Sequence, residues 1–146
     1  MVGDRIVSNT DEIKTAWISR STSKKDKPWG HERSWSSFTA GHGKILSINK
    51  GFRTSLKYNP QKNESLFVLT GKLQVTFGDE LSIAQPSIHP MTIEMLSPGE
   101  CLNVQSGCPY RLEAIEASEV VEIGTFLSDK PVRIEDDYGR ASKKNT

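Results

Sequence analysis

The sequence predicts an all-β protein, a jelly-roll barrel preceded by a short N-terminal extension. Glycines and prolines divide the middle of the chain into short segments whose residues alternate in polarity, as in Leu73, Val75 and Phe77. Short alternating segments are typical of strands rather than helices. A chain of 146 residues is long enough for one domain with one core. A jelly-roll barrel closes such a sheet by curling it.

The extension is assigned to residues 1–27. Within it, residues 10–18 form a modest helical candidate, with Asn9 or Thr10 as the N-cap. Residues 19–27, SRSTSKKDK, are polar throughout and are predicted to be a mobile linker. The barrel follows over residues 28–140, and the tail over residues 141–146 is predicted to be disordered.

Eight strands are predicted inside the barrel. They cover residues 44–50, 53–59, 64–70, 72–77, 91–96, 101–105, 110–115 and 119–126. Tight turns are expected at Gly71-Lys72, at residues 78–80 and at Pro98-Gly99. Residues 86–90, which begin and end with proline, are predicted to form a loop that interrupts the second half.

Charge and composition exclude several classes of partner. The net charge is +1, from 19 basic and 18 acidic side chains, which argues against nucleic acid and against a membrane surface. No apolar run approaches the roughly 20 residues of a membrane span, and the N-terminus lacks the apolar stretch of a secretory signal. Cys101 and Cys108 are interpreted as free thiols in a reducing cytoplasm, with a short disulfide loop as the alternative.

Three segments carry a resemblance to a known family. Residues 51–71, GFRTSLKYNPQKNESLFVLTG, have the spacing of the first cupin motif, with a glycine at each end and Glu64 in place. Residues 27–30, KPWG, and residues 134–140, IEDDYGR, resemble the R-P-W-G entry and the L-E-D-D-Y-G-R close of type II mannose-6-phosphate isomerases. The chain therefore resembles the C-terminal cupin domain of those enzymes over about residues 28–140. This resemblance implies a cupin-type double-stranded β-helix, a sugar-phosphate (aldose–ketose) isomerase activity and a homodimer.

The metal-ligand positions of that family do not hold its ligands here. A second cupin motif runs from Gly99 through Gln105 and Gly107, so the four positions fall on Lys57, Asn59, Glu64 and Tyr110. The family has glutamine, histidine, glutamate and histidine there. A charged lysine offers no lone pair, and a neutral phenol, one amide and one carboxylate do not suffice for a transition metal. The sequence thus predicts no bound cofactor, with a divalent metal such as zinc as the alternative. All three histidines, His31, His42 and His89, lie off the motif and are interpreted as surface or loop imidazoles.

The polar replacement residues form a pattern of their own. Strand alternation places four of them on one face: Arg53, Ser55, Lys57 and Asn59. Lys57 would then stand opposite Glu64. One interpretation is a buried ion pair that fills the vacated metal site. The other is catalytic, with Glu64 as the base, Lys57 as the electrophile and Tyr110 as a hydroxyl donor. A lysine that close would lower the pKa of Glu64 and weaken it as a base.

Substrate contacts can also be assigned. Arg53, Lys62 and Arg140 are candidate phosphate ligands, Asn59 is a candidate sugar contact, and Arg111 should point away from the pocket. Three aromatic residues, Trp29, Trp35 and Phe38, are interpreted as outer-surface or dimer contacts, with sugar stacking as the alternative.

Two functions are consistent with this set. The first is a mannose-6-phosphate isomerase-like cupin with a degenerate metal site that binds a sugar or sugar phosphate. The second is a non-catalytic carbohydrate-binding or regulatory cupin that has lost metal and activity.

Overall fold

The computed structural model describes residues 13–36, 41–125 and 130–140. These residues form nine β-strands: β1 (Ser23–Lys27), β2 (Gly30–Ser34), β3 (His42–Ile48), β4 (Leu56–Tyr58), β5 (Glu64–Phe77), β6 (Thr92–Leu96), β7 (Cys101–Val104), β8 (Tyr110–Gly124) and β9 (Val132–Glu135). They belong to one sheet in the order β1-β2-β3-β8-β4-β9, and β5 pairs with β6, β7 and β8. The all-β prediction is confirmed. The part of the chain that the structure describes contains no helix able to cross a membrane.

Two long antiparallel strands, β5 and β8, form the framework of the sheet. They pair from Glu64 opposite Gly124 to Phe77 opposite Tyr110, with register shifts in the middle. The sequence predicts each of them as two strands, and the turn at Gly71-Lys72 is wrong. Gly71 instead lies inside β5 with φ +91°, and a Cβ there would come within 2.3 Å of the Ala117 carbonyl oxygen. The glycine therefore lets the two strands bend together, which curls the sheet.

The apolar core follows the alternation of the strands. In β5, Leu66 and Val68 are fully buried, whereas Phe67 and Leu69 between and beside them are exposed. The other buried apolar residues are Trp29, Leu46, Ile48, Leu73, Val75, Leu102, Val104, Tyr110, Leu112, Ala114 and Val120. These side chains lie on one side of the curled sheet and together form the interior of the barrel.

The N-terminal segment differs from its prediction. Residues 23–27, expected in the linker, form β1 and pair with β2. Polar side chains do not prevent an edge strand, because backbone hydrogen bonds supply the pairing and lysines protect the free edge. Residues 13–18 of the helical candidate are not helical. Its remaining residues 10–12 and the tail 141–146 lie outside the described residues.

The turn between β1 and β2 carries Trp29 into the core, where it is 5% exposed. The interpretation of Trp29 as an outer-surface residue is therefore wrong, because the hairpin folds this residue beneath the sheet. Trp35 is half-exposed and its ring lies over Gly43, and Phe38 is outside the described residues.

Several local predictions are confirmed. The chain turns at Pro98-Gly99, where Gly99 has φ +92°. The turn predicted at residues 78–80 instead lies over residues 80–84. Cys101 and Cys108 are free thiols, so the disulfide alternative is wrong.

Candidate functional site in the barrel cavity

The curled sheet encloses a cavity of about 760 Å³. Side chains from β1, β2, β3, β4, β5, β8 and β9 line it, together with the segment that leads into β9. The cationic lining residues are Lys25, Lys27, Lys44, Lys57, Lys62, Lys130 and Arg133, and the lining carboxylates are Glu32, Glu64 and Glu122. Cations outnumber carboxylates by seven to three in this set. A concave surface with such an excess attracts an anionic ligand.

Strand register brings a cluster of charged residues together on the cavity wall. Gly124 of β8 lies opposite His42 of β3 on one side and opposite Glu64 of β5 on the other. Glu122, two residues away on β8, faces the same way. A Cβ at position 124 would come within 2.2 Å of His42 Cε1 and 2.5 Å of Lys62 Cε, so this glycine provides the space that both side chains occupy.

Contacts inside this cluster are short and specific. His42 Nε2 lies 2.8 Å from Glu122 Oε2. The Lys62 ammonium lies 3.7 Å from Glu64 Oε2 and 4.0 Å from Glu122 Oε2. The other oxygen of Glu64, Oε1, accepts hydrogen bonds from Asn59 Nδ2 and, at 3.2 Å, from the Tyr110 hydroxyl. Glu64 therefore has one oxygen held by neutral donors and the other turned toward an ammonium.

The two carboxyl groups differ in proton affinity. Burial and the charge of Glu122 raise the pKa of Glu64 to about 7, against the opposing effect of Lys62 and Lys57. Burial also opposes ionisation of Glu122, but the hydrogen bond with His42 and the charges of the two lysines outweigh it and lower its pKa to about 2. The sequence suggested that a nearby lysine would lower the pKa of Glu64. The structure shows the opposite net shift, because burial and the charge of Glu122 outweigh the two lysines. Pairs whose pKa values are pushed apart are typical of acid–base sites.

Tyr110 is completely enclosed at the base of the cavity. Burial, together with the nearby charge of Glu64, raises the pKa of its phenol well above the ordinary value of 10.0. The hydroxyl group therefore stays protonated and acts as a hydrogen-bond donor.

The predicted ion pair of Lys57 with Glu64 is replaced by another. Among the described residues, the ammonium in ion-pair contact with Glu64 belongs to Lys62. Lys57 lines the cavity, but its Nζ lies over the Tyr110 ring, 5.7 Å from the ring centroid. Lys62, predicted as a phosphate contact, therefore performs the neutralising role that the sequence assigned to Lys57.

Two other predicted substrate residues lie outside the cavity lining. Arg53 donates from Nε and Nη2 to Asp137 at 2.6 and 2.9 Å, and Arg140 donates in the same way to Asp136 at 3.1 and 3.0 Å. The strict alternation expected from Arg53 to Asn59 is wrong, because the register shifts between residues 56 and 57. Thr54 faces the cavity instead of Arg53.

The sequence predicts that Arg111 points away from the pocket, and this residue is indeed not part of the cavity lining. The sequence offered no partner for its charge. Its guanidinium is buried, donates to the Thr54 carbonyl oxygen at 2.8 Å and lies 3.5 Å from Glu135.

Two cluster residues were missed at the sequence level. His42 was interpreted as a surface or loop residue, but it is the first residue of β3 and is 6% exposed. The predicted strand began two residues too late to include it. Glu122 carried a usable signal, since it alternates with the buried Val120 on a strand whose inward positions are otherwise apolar or small. His89 lies in a loop, as predicted, and its Nδ1 lies 2.7 Å from Asp79 Oδ2.

The four family ligand positions do not fit a metal in this chain. Asn59 and Tyr110 both point hydrogen-bond donors at Glu64, and Lys57 covers the Tyr110 ring. Three of the four positions therefore present protons rather than lone pairs to the place where a metal would need ligands.

Comparison with known proteins places the fold. Neither a protein-family model nor a curated protein matches the chain. Oxalate decarboxylase OxdC from Bacillus subtilis is similar with a TM-score of 0.66 at 16% identity over 82% of this chain, and KdgF from Halomonas sp. with 0.62 at 13% over 77%. CapF, a capsular polysaccharide assembling protein from Staphylococcus aureus, is similar with a TM-score of 0.65 at 14% identity over 81%.

These neighbours are cupin-fold proteins, and this chain has the cupin-type jelly-roll fold. The matched region covers 94% of the KdgF chain, but only 33% of the OxdC chain and 33% of the CapF chain. The likeness therefore concerns about a third of the length of each of those two proteins.

Proposed function

We propose that the cavity binds a small anionic carbohydrate, a sugar phosphate, and that the protein is an isomerase-like cupin related in function to mannose-6-phosphate isomerase. The observation that carries this proposal is a cationic cavity with a buried carboxylate pair, Glu64 and Glu122, on its wall. Two neighbours support the ligand class by name: CapF is a capsular polysaccharide assembling protein, and oxalate decarboxylase is named for an anionic substrate.

The cluster contains the groups that aldose–ketose isomerisation requires. The reaction moves one proton from C2 to C1 and a second from the C2 hydroxyl to the C1 oxygen, and it develops negative charge on an enediolate oxygen. Glu64 Oε2 faces the cavity and is the candidate base that takes the proton from C2 and returns it to C1. Lys62 and Lys57 line the cavity, and in this proposal their ammonium groups stabilise the enediolate oxygen. Tyr110 and Asn59 orient the Glu64 carboxylate through its other oxygen.

Outside this centre, the remaining cations are available for the phosphate. Lys25 and Lys27 of β1, Lys44 of β3 and Arg133 of β9 line the wider part of the cavity. Phosphate oxygens are bound well by several charged donors that converge on them.

A second candidate function is a non-catalytic carbohydrate-binding or regulatory module. The observation that favours it is the saturation of Glu64, whose Oε1 takes two donors and whose Oε2 faces Lys62. A buried ion pair with all its partners satisfied is equally what a purely structural role requires.

A coupled assay with mannose 6-phosphate separates these functions. The protein is treated with a chelator and assayed with and without added divalent metal. Turnover is expected in both conditions, with loss in Glu64→Gln and retention in the matched control Arg53→Ala, whose side chain lies outside the cavity lining. Binding without turnover, measured by calorimetry, would favour the non-catalytic module. Neither binding nor turnover would contradict the sugar-phosphate proposal.

Two further properties stay predictions. The resemblance to the isomerases implies a homodimer, which sedimentation velocity measures directly. The free thiols of Cys101 and Cys108 suit a reducing compartment, and we propose the cytoplasm as the location.

A further inference from the structure

The cavity wall holds a donor set for metals that shares only Glu64 with the family's four ligand positions. His42, Glu64 and Glu122 each offer one ligand atom, and these three atoms lie within 4.8 Å of one another. All three side chains are buried. One imidazole nitrogen and two carboxylates suit zinc and related divalent ions, and three protein ligands beside an open cavity leave a coordination position free.

Lys62 occupies the cation position of this set. Its ammonium contacts one oxygen of each carboxylate, and the Glu122 oxygen that it approaches is also the partner of His42. The lysine therefore supplies the positive charge that two adjacent carboxylates require. Its ammonium is carried on a long, flexible stem, which can withdraw into the cavity without movement of the backbone.

We propose that His42, Glu64 and Glu122 form a divalent-cation site for which the Lys62 ammonium competes. Metal binding displaces the ammonium and releases any proton held on the ligand atoms, because the ligands must be deprotonated. The site shares Glu64 of β5 with the family positions, but β3 contributes His42, and β8 contributes Glu122 in place of Tyr110.

Outer contacts support this assignment. Asn59 and Tyr110 bind Glu64 Oε1, which leaves Oε2 directed toward the ammonium that a metal would replace. Hydrogen bonds to the second oxygen of a ligating carboxylate fix its orientation. Gly124 provides the space between His42 and Lys62, and any side chain at that position would collide with both.

The test compares metal binding by wild type and by Lys62→Met, which keeps the apolar stem and removes the charge. Calorimetric titration with zinc follows chelator treatment of the full chain, at matched pH. We expect one ion per chain, with affinity about tenfold or more higher in Lys62→Met. The matched control is Lys72→Met, which removes the same charge from β5 outside the cavity lining and should leave zinc affinity unchanged.

The second variant assigns the ligands. His42→Ala combined with Lys62→Met should lose the gain, and the visible spectrum of bound cobalt should change with the loss of the nitrogen ligand. A gain that survives the removal of His42 would place the ion elsewhere and overturn the proposal, as would equal zinc affinity in wild type and Lys62→Met. If Lys62→Met does not fold alone, zinc should restore its fold but not that of the double variant, and equal behaviour of the two would also overturn it.

Discussion

Two groups of cation–carboxylate pairs in this protein differ in the geometry of their contacts and in how their charges are shared. The cavity cluster consists of His42, Lys62, Glu64 and Glu122. The C-terminal clasp consists of Arg53, Asp136, Asp137 and Arg140. In the clasp each arginine binds one aspartate through two nitrogens, and both Arg53 and Asp137 have side chains 40% exposed. In the cavity cluster His42 and the two carboxylates are buried, and the partly buried ammonium of Lys62 is shared by both carboxylates.

This comparison distinguishes ion pairs that stabilise the fold from a cluster whose properties suit acid–base chemistry. The hydrogen bond with Arg53 lowers the pKa of Asp137, and the bonds from Arg140 lower that of Asp136 against the effect of burial. Both aspartates therefore stay ionised. Asp137 attaches the C-terminal segment to the barrel through Arg53, where the Tyr138 hydroxyl also donates to the Arg53 carbonyl oxygen at 2.9 Å, whereas Asp136 binds Arg140 within the segment. In the cluster, burial and the charge of Glu122 raise the pKa of Glu64, whereas the hydrogen bond with His42 lowers that of Glu122 against the effect of burial, so the two carboxyl groups have very different proton affinities.

The largest effect is expected from Glu122→Ala. This change leaves His42 Nε2 without the carboxylate at 2.8 Å and removes one of the two partners of Lys62. Breaking a buried ion pair by removing one partner costs several kcal/mol, so the free energy of unfolding should fall by about 3 kcal/mol. Urea unfolding measures it. The matched change Asp137→Ala in the exposed clasp should cost about 1 kcal/mol or less, and equal losses would contradict the distinction between the two groups.

Ligand binding should depend on cavity cations and not on the clasp. Lys44 lines the cavity and lies 3.3 Å from Glu32, so Lys44→Ala should weaken mannose 6-phosphate binding about tenfold, the magnitude of one charge-assisted hydrogen bond. Arg53→Ala should change the affinity by less than about twofold. Calorimetric titration gives both values. A larger effect from Arg53 would return that residue to the binding site, as the sequence first suggested.

The clasp should lose its contribution to stability in acid. Because the folded-state pKa values of Asp136 and Asp137 are lowered, their contribution is complete above the ordinary aspartate pKa of about 4 and is lost as the pH falls through the lowered values. The double variant Asp136→Asn/Asp137→Asn should be less stable than wild type at pH 7, and the gap should narrow near pH 3. Urea midpoints at the two pH values test this. If the difference in stability between the double variant and wild type did not narrow, the contribution of the two aspartates would not depend on their charge.

The smallest effect is expected from Arg53→Lys. Lysine keeps the charge but loses the two-nitrogen contact with Asp137. At this exposure the free energy of unfolding should fall by about 0.5 kcal/mol. Thermal unfolding, with Arg33→Lys on β2 as a surface control, measures the difference. A loss of unfolding free energy as large as that of Glu122→Ala would contradict the smaller contribution expected from the clasp.

Much of the fold was predictable because the responsible patterns are local. Alternation in Leu73 and Val75 depends only on the two-residue period of a strand, and Pro98-Gly99 depends only on backbone preference. The bends of β5 and β8 were not predictable, since a glycine such as Gly71 is compatible with a hairpin turn and with a bent strand. The choice between them depends on the partner strand, which lies some 40 residues away in sequence.

The sequence by itself determined the jelly-roll fold, the placement of Glu64 in the cavity and the loss of ligand chemistry at positions 57, 59 and 110, because motif spacing and side-chain chemistry are visible in the chain. Only the tertiary structure decided which charges meet. Register across β3, β8 and β5 places His42 and Glu122 beside Glu64, and a register shift within β4 takes Arg53 out of the cavity. Strand register is set by the packing of the whole sheet, so side chains distant in sequence come together for reasons that no single segment contains.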